Sequence, residues 1–266
     1  MRVSLFHVDA FTDQPFAGNP AAVCLLNSWL DDALLLKVAA ENNLSATAFL
    51  VPGGPDIRPS YELRWFTPRC EVRLCGHATL ASAYVVLKLL SAGLGTVQFQ
   101  TRFGGTLVVR EEGHSLVMDF PALYPQPCKE IPESLDRALG AHPSEVLDVN
   151  DIYVCVFEDE DSIRGIRPNF ALLEQLHPFA VSITAPGKQA DFVSRYFAPS
   201  YGIPEDPVTG SAHCVLTPYW AKRLGKPRLH ARQLSERGGQ LSCELAGERV
   251  LLSGKAVLVL QGSLTI

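Results

Sequence analysis

An internal repeat is the feature that most constrains this chain. Gly76 opens a segment with helical spacing, and the pair Gly104-Gly105 precedes a strand-like stretch; Gly210 and Gly238-Gly239 reproduce that order, and in both halves the separation is 28 residues. The tails GGTLVVREEGHSLVMDF and GGQLSCELAGERVLLSG keep one apolar alternation, and Arg64-Trp65-Phe66-Thr67-Pro68 is echoed by Arg195-Tyr196-Phe197-Ala198-Pro199. Four features repeated in one order point to duplication, so the chain is expected to form two like domains. Pro121, Pro125, Pro127 and Pro132 remove backbone donors and resist both helix and central strand, which puts the boundary there. The expected domains are 1–120 and 133–266, with the option that the last strand packs back on the first.

Within each half, strand-like and helix-like patterns alternate. Val3–Val8 alternates as a half-buried strand, and Leu30–Glu41 has helical spacing with Asp31 and Asp32 in the first turn, where the helix dipole favours negative charge. Strands are expected at Thr47–Val51, Glu62–Phe66, Thr96–Arg102, Gly105–Arg110 and Ser115–Phe120, with a helix from about His77 to Leu90. The second half is expected to follow with one or two strands in Leu147–Phe157 and a short helix at Asn169–Leu176. Strands at Phe179–Ile183 and Asp191–Phe197 come next, then a helix from about Ser211 to Leu224 and three closing strands. In both halves a glycine turn leads into a helix N-terminus, whose unpaired N–H groups and partial positive charge suit an anion. Two such ends aimed at one cleft would hold a ligand carboxylate without lysine or arginine; each turn alone reads equally well as a tight connection.

Composition narrows the function. At 266 residues, 47% hydrophobic and 19% charged, the chain has the balance of a globular protein with a substantial core. A net charge of -5 gives no footprint for nucleic acid or an anionic membrane, and no apolar run reaches the roughly 20 residues that span a bilayer. The seven cysteines include no CxxC pair or zinc-spaced cluster, so no metal is expected, and reduced thiols in the cytoplasm fit best.

FTDQPFAGNPAAV (11–23), LRWFTP (63–68), LCGHATLASA (74–83) and EDPVTGSAHC (205–214) together resemble the phenazine-biosynthesis, PhzF-like family over nearly the whole length. The resemblance implies an α+β fold like that of diaminopimelate epimerase: two pseudo-symmetric domains, each a curled, mostly antiparallel sheet around a central helix. It implies cofactor-free isomerisation by proton transfer on a small cyclic carboxylated metabolite, and a homodimer. Its general acid/base glutamate falls at Ala46, in Asn43-Leu44-Ser45-Ala46-Thr47, where a methyl group carries no proton. Three readings stay open: a natural member with altered chemistry, a non-catalytic metabolite-binding protein, or an engineered inactive variant.

The resemblance assigns His77 and Asp206 to the catalytic machinery, and Gly76, Gly210, Ser211, Ser45 and Asn19 to substrate binding. From the residues alone, His77 is expected to have a lowered pKa at a helix N-terminus. Pro207 pushes Asp206 out of the helical region and onto a loop. Asn19 is explained equally by the Gly18-Asn19-Pro20 turn. Epimerases of this fold use two opposed thiols; Cys75 takes the first position and Thr209 the second, so that chemistry is excluded and Cys75 reads as a small buried residue. Glu41 and Glu71 are the nearest carboxylates that could substitute at Ala46, Glu41 reading better as a solvated helix end. Arg73 reads as surface variation or as a charge change near the cleft mouth.

Overall fold

The computed structural model describes residues 1–54, 60–176 and 180–266. Two compact units emerge, Met1–Asp119 together with Ser253–Ile266, and Phe120–Leu252. The second unit therefore begins at the head of the proline-rich stretch rather than after it, and the last strand joins the first unit. Prolines within that stretch also permit a two-residue strand, β9, at a sheet margin.

The first unit runs β1 (Arg2–Ala10), β2 (Asn19–Leu25), α1 (Asp32–Asn42), β3 (Ala46–Pro52), β4 (Ser60–Phe66), β5 (Glu71–Val72), α2 (Gly76–Tyr84), β6 (Thr96–Thr101), β7 (Gly105–Glu112) and β8 (Ser115–Pro121). Next come β9 (Gln126–Pro127), α3 (Leu135–Leu139), β10 (Glu145–Val149), β11 (Ile152–Val156), α4 (Glu160–Gly165), α5 (Phe170–Glu174) and β12 (Ala180–Pro186). The chain closes with β13 (Phe192–Ala198), β14 (Ile203–Asp206), α6 (Gly210–Leu224), β15 (Arg228–Gln233), β16 (Gly239–Ala246), β17 (Arg249–Gly254) and β18 (Ala256–Thr265).

Strand pairing repeats between the units. β2 runs parallel to β3, β3 antiparallel to β4, and β4 parallel to β6, which turns into β7. In the second unit β11 is parallel to β12, β12 antiparallel to β13, and β13 parallel to β15, which turns into β16. The helices α2 and α6 connect equivalent strands. Eight of the nine residues of α2 are buried, as expected of a helix wrapped by sheet on all sides, and it packs on β1, β2, β3 and β18. In the first unit β18 pairs antiparallel with β1 from Arg2↔Thr265 to Ala10↔Ala256.

Repeated ion pairs brace the two units. Arg64 forks onto Glu71 (2.7 and 2.8 Å) and lies 5.1 Å from the Phe66 ring centre; Arg195 forks onto Glu205 (2.8 and 2.9 Å) and lies 5.0 Å from that of Phe197. A planar guanidinium meeting both carboxylate oxygens while covering an aromatic face needs arginine rather than lysine.

The helix expected over His77–Leu90 changes character midway. It is α-helical to Tyr84, and Val85–Leu90 continues with π-type bonding, Ser91 N donating to Val86 O at 2.8 Å. At the matching place in α6 stands Pro218, which lacks the N–H that Cys214 O would accept; Leu123 N donates to that carbonyl instead, at 3.0 Å. Strands β2 and β15 and helices α3 and α4 were not anticipated. The strand expected from Phe179 starts at Ala180, Phe179 itself lying outside the described residues. No helix among the described residues is long and apolar enough to cross a membrane.

Candidate functional site

At the head of α2, Cys75 is extended (φ -142, ψ 103) and its side chain gives no cap to the first amides of the helix. His77 is buried, and loss of hydration lowers its imidazole pKa to about 3, leaving the ring neutral. Its Nε2 lies 3.1 Å from Ser45 Oγ, and Ser45 Oγ lies 2.6 Å from Asn19 Oδ1 and 2.8 Å from Pro20 O. Since Pro20 O and Asn19 Oδ1 only accept, the serine proton goes to one of them, and Nε2–H of His77 donates to the serine oxygen. That tautomer leaves Nδ1 bare, 3.5 Å from Cys75 Sγ, whose thiol can donate to it. Ser45, His77 and Asn19 are thus joined by hydrogen bonds. Cys75 corrects the expectation of a buried spacer: it is half-buried, with its sulfur against the imidazole.

Asn19 reaches this position through a forced turn. Gly18 has φ +64, and a Cβ there would sit 2.2 Å from Ala10 O, so only glycine fits. Ala46 is the first residue of β3, buried and paired in register with Ala21. Side chains alternate along a strand, and Phe49 and Val51 pack with the α1 residues Leu35 and Val38, so Ala46 lies on the opposite face. The candidate replacements are otherwise engaged or distant from burial. Glu71 bonds Arg64 and Arg102, and Glu41 is exposed at the end of α1. Arg73 is exposed, its guanidinium 5.8 Å from the Phe103 ring centre.

In the second unit Thr209 is likewise extended (φ -113, ψ 102) and uncapping, with Gly210 buried and Ser211 half-buried on the first turn of α6. Asp206 corrects the expected loop position: it ends β14, opposite Tyr196, because the extended backbone that Pro207 imposes also suits a strand terminus. It is buried, and Thr209 Oγ1 donates to its Oδ2 at 2.6 Å. Burial, and then the negative charge of Asp206, push the Tyr196 phenol pKa up.

Two residues went unread in the sequence. Gln233, buried at the end of β15, bonds Asp206 and Thr209. His213, also buried, donates from Nδ1 to Thr209 O at 2.7 Å, just as Thr79 Oγ1 donates to Cys75 O at 2.7 Å; burial lowers the His213 pKa to about 4. A histidine four residues past the residue preceding a helix glycine was the available signal. Among the described residues no group of three or more His, Cys, Asp and Glu is arranged to hold a metal ion.

Comparison with known proteins gives the family and the fold. Residues 8–262 match the family model for phenazine biosynthesis-like proteins. The chain is 53% identical over 264 residues to an uncharacterized isomerase of Pseudomonas aeruginosa, covering 99% of both. It superposes on the crystal structure of a PhzF-family protein from Enterococcus faecalis with a TM-score of 0.93 at 42% identity, covering 100% of each chain. A hydroxyproline epimerase from Agrobacterium vitis, at 11% identity and TM-score 0.65 over 98% of this chain and 92% of that one, shares the fold alone. With the match spanning nearly the whole length in sequence and in structure, the chain belongs to the phenazine biosynthesis-like, PhzF, family of isomerases and has the epimerase-like α+β fold.

Proposed function

We propose that this protein moves a proton within a small cyclic carboxylated metabolite, without a cofactor. The observation that carries the reading is the buried, neutral His77 at the uncapped head of α2, wired to Ser45 on one side and Cys75 on the other. The N–H groups of Gly76 and His77 in the first unit are assigned to a ligand carboxylate, since amides at a helix N-terminus take an anion without a cationic side chain, and Gly210 and Ser211 offer an equivalent helix head in the second unit. Asn19 and Ser45 flank the first of these heads.

An imidazole with so low a pKa does not hold a positive charge at neutral pH. With Nε2–H donated to Ser45 Oγ and Nδ1 facing the Cys75 thiol, the neutral ring acts as a hydrogen-bond donor on one side and an acceptor on the other, and it orients Ser45 and Cys75 without itself taking up a net proton. Asp206 is the carboxylate that accepts or returns a proton. At Ala46 no group can share this work, and loss of one positioned acid/base costs on the order of 10²–10⁴-fold. The methyl at 46 also favours a second reading, a protein that binds such a metabolite without turning it over.

Incubation in D₂O with a panel of cyclic amino and hydroxy acids, read by mass spectrometry, separates the two. Deuterium entering one acid at a carbon position, and lost in Asp206→Asn and His77→Asn, is the expected result. Saturable binding of an acid with no deuterium entering it would overturn catalysis in favour of binding.

A further inference from the structure

We propose that Gln233 is a positioning residue for Asp206: acting through Thr209, it fixes the direction of the hydrogen bonds so that the carboxylate is held ready as an acceptor. This rests on the assignment of Asp206 to proton transfer above.

The direction follows from donors and acceptors alone. Thr209 N–H can only donate, and its partner is Oε1 of Gln233 at 2.8 Å, which fixes the orientation of the amide. Nε2 of Gln233 then points its two hydrogens at Asp206 O (2.6 Å) and at Thr209 Oγ1 (3.2 Å). Thr209 Oγ1, already accepting, directs its own hydrogen to Asp206 Oδ2 at 2.6 Å. Oδ2 is therefore an acceptor. Hydrogen bonds donated to a carboxylate favour its ionised form. Ser235 Oγ, donating to Pro207 O at 2.8 Å, pins the same turn from the strand connection after Gln233.

Several ionisable groups stand near Asp206. Tyr196 stands across the strand pair, and Tyr201 and Asp151 contribute to the field upon it. Glu205 is tied to Arg195, and His213 on α6 is neutral through burial.

The first unit lacks this device. By strand register Val72 corresponds to Asp206, Cys75 to Thr209, and Thr101 to Gln233. Thr101 caps only its own turn, donating to Gly105 O and accepting from Gly104 N.

The test is the titration of Asp206 followed by carboxyl ¹³C NMR in the full-length protein labelled at aspartate, the resonance being assigned by its loss in Asp206→Asn. Thr209→Val keeps the backbone bond to Gln233 and deletes only the hydroxyl link; Gln233→Glu turns the donor into an acceptor. Both are expected to raise the Asp206 midpoint by about one pH unit, a roughly tenfold rise in proton affinity, with Thr209→Ser restoring the original value. Midpoints unchanged in Thr209→Val and Gln233→Glu, or equally displaced in Thr209→Ser, would overturn the proposal. The titration needs no ligand, so a shifted midpoint alongside absent deuterium exchange overturns the proposed catalysis and leaves the positioning role standing.

Discussion

Cys75 and Thr209 occupy the same place in their respective units, each the extended residue before a glycine that begins a central helix. Around Cys75 the polar partners come from β2, the β3 approach and the helix itself: Asn19, Ser45 and His77. Around Thr209 they come from β14, β15 and α6: Asp206, Gln233 and His213. The backbone plan and the Arg–Glu–aromatic brace are held in common, while the ionisable groups differ: each copy has a buried imidazole, and the second adds the carboxylate of Asp206. A duplicated scaffold can thus keep its helix heads and vary the side chains around them, because the backbone amides depend on helix geometry and the side chains do not.

The brace offers the hardest test of this likeness. Arg195 is held by Glu205 and by the carbonyls of Ile163 and Ile166, whereas Arg64 keeps a second carboxylate, Asp32, when Glu71 is removed. Glu205→Gln should therefore cost about 3–5 kcal/mol in urea denaturation, as expected when one partner of a largely buried pair is lost. Glu71→Gln should cost about 1–2 kcal/mol, near the value of one charged hydrogen bond. Equal losses would show that the two braces are energetically equivalent despite Asp32.

A change at Ala46 probes the chemical difference between the units. Ala46→Glu should raise deuterium exchange by about 10²-fold or more if the first unit lacks only its proton carrier. Unchanged exchange, with the fold intact by circular dichroism, would place the deficit elsewhere.

Acid stability compares the two buried histidines. Their folded pKa values, about 3 for His77 and about 4 for His213, lie below the 6.5 of an unfolded histidine. The unfolded chain then binds more protons, so stability falls as the pH drops from about 6.5 toward 4. Each histidine contributes about 1.4 kcal/mol per pH unit across that window. His213→Gln should flatten a plot of unfolding free energy against pH between 6.5 and 4.5 by about that slope; a variant that tracks the parent would mean that His213 is protonated in the folded state.

Much of this was legible from glycines and apolar periods. Gly76 and Gly210 begin central helices as their spacing implied, and the two tails fold as matching hairpin strands. His77 and Asp206 could be singled out because each sits in a local motif. Gln233 could not, since it lies 24 residues beyond Thr209 and its strand ends in an unequal turn. Thr101 pairs with Gly105, but Gln233 pairs with Gly239, two residues further on, which throws the repeats out of alignment there. Ser45 could be named only through the family resemblance, because its partners, Asn19 and His77, are 26 and 32 residues away. Strand β2 escaped because its burial on both faces leaves no alternation to read.

The pairing of β1 with β18 has a consequence during synthesis. Ala10 is made 246 residues before its partner Ala256, an interval of about 10–50 s at ordinary elongation rates. Until its end one margin of β1 stays unsatisfied, and by the time Ala256 is made the later unit already has all of its own residues. A nascent chain would therefore complete its second lobe before its first, and the waiting backbone is where mispairing with a neighbouring polypeptide would begin.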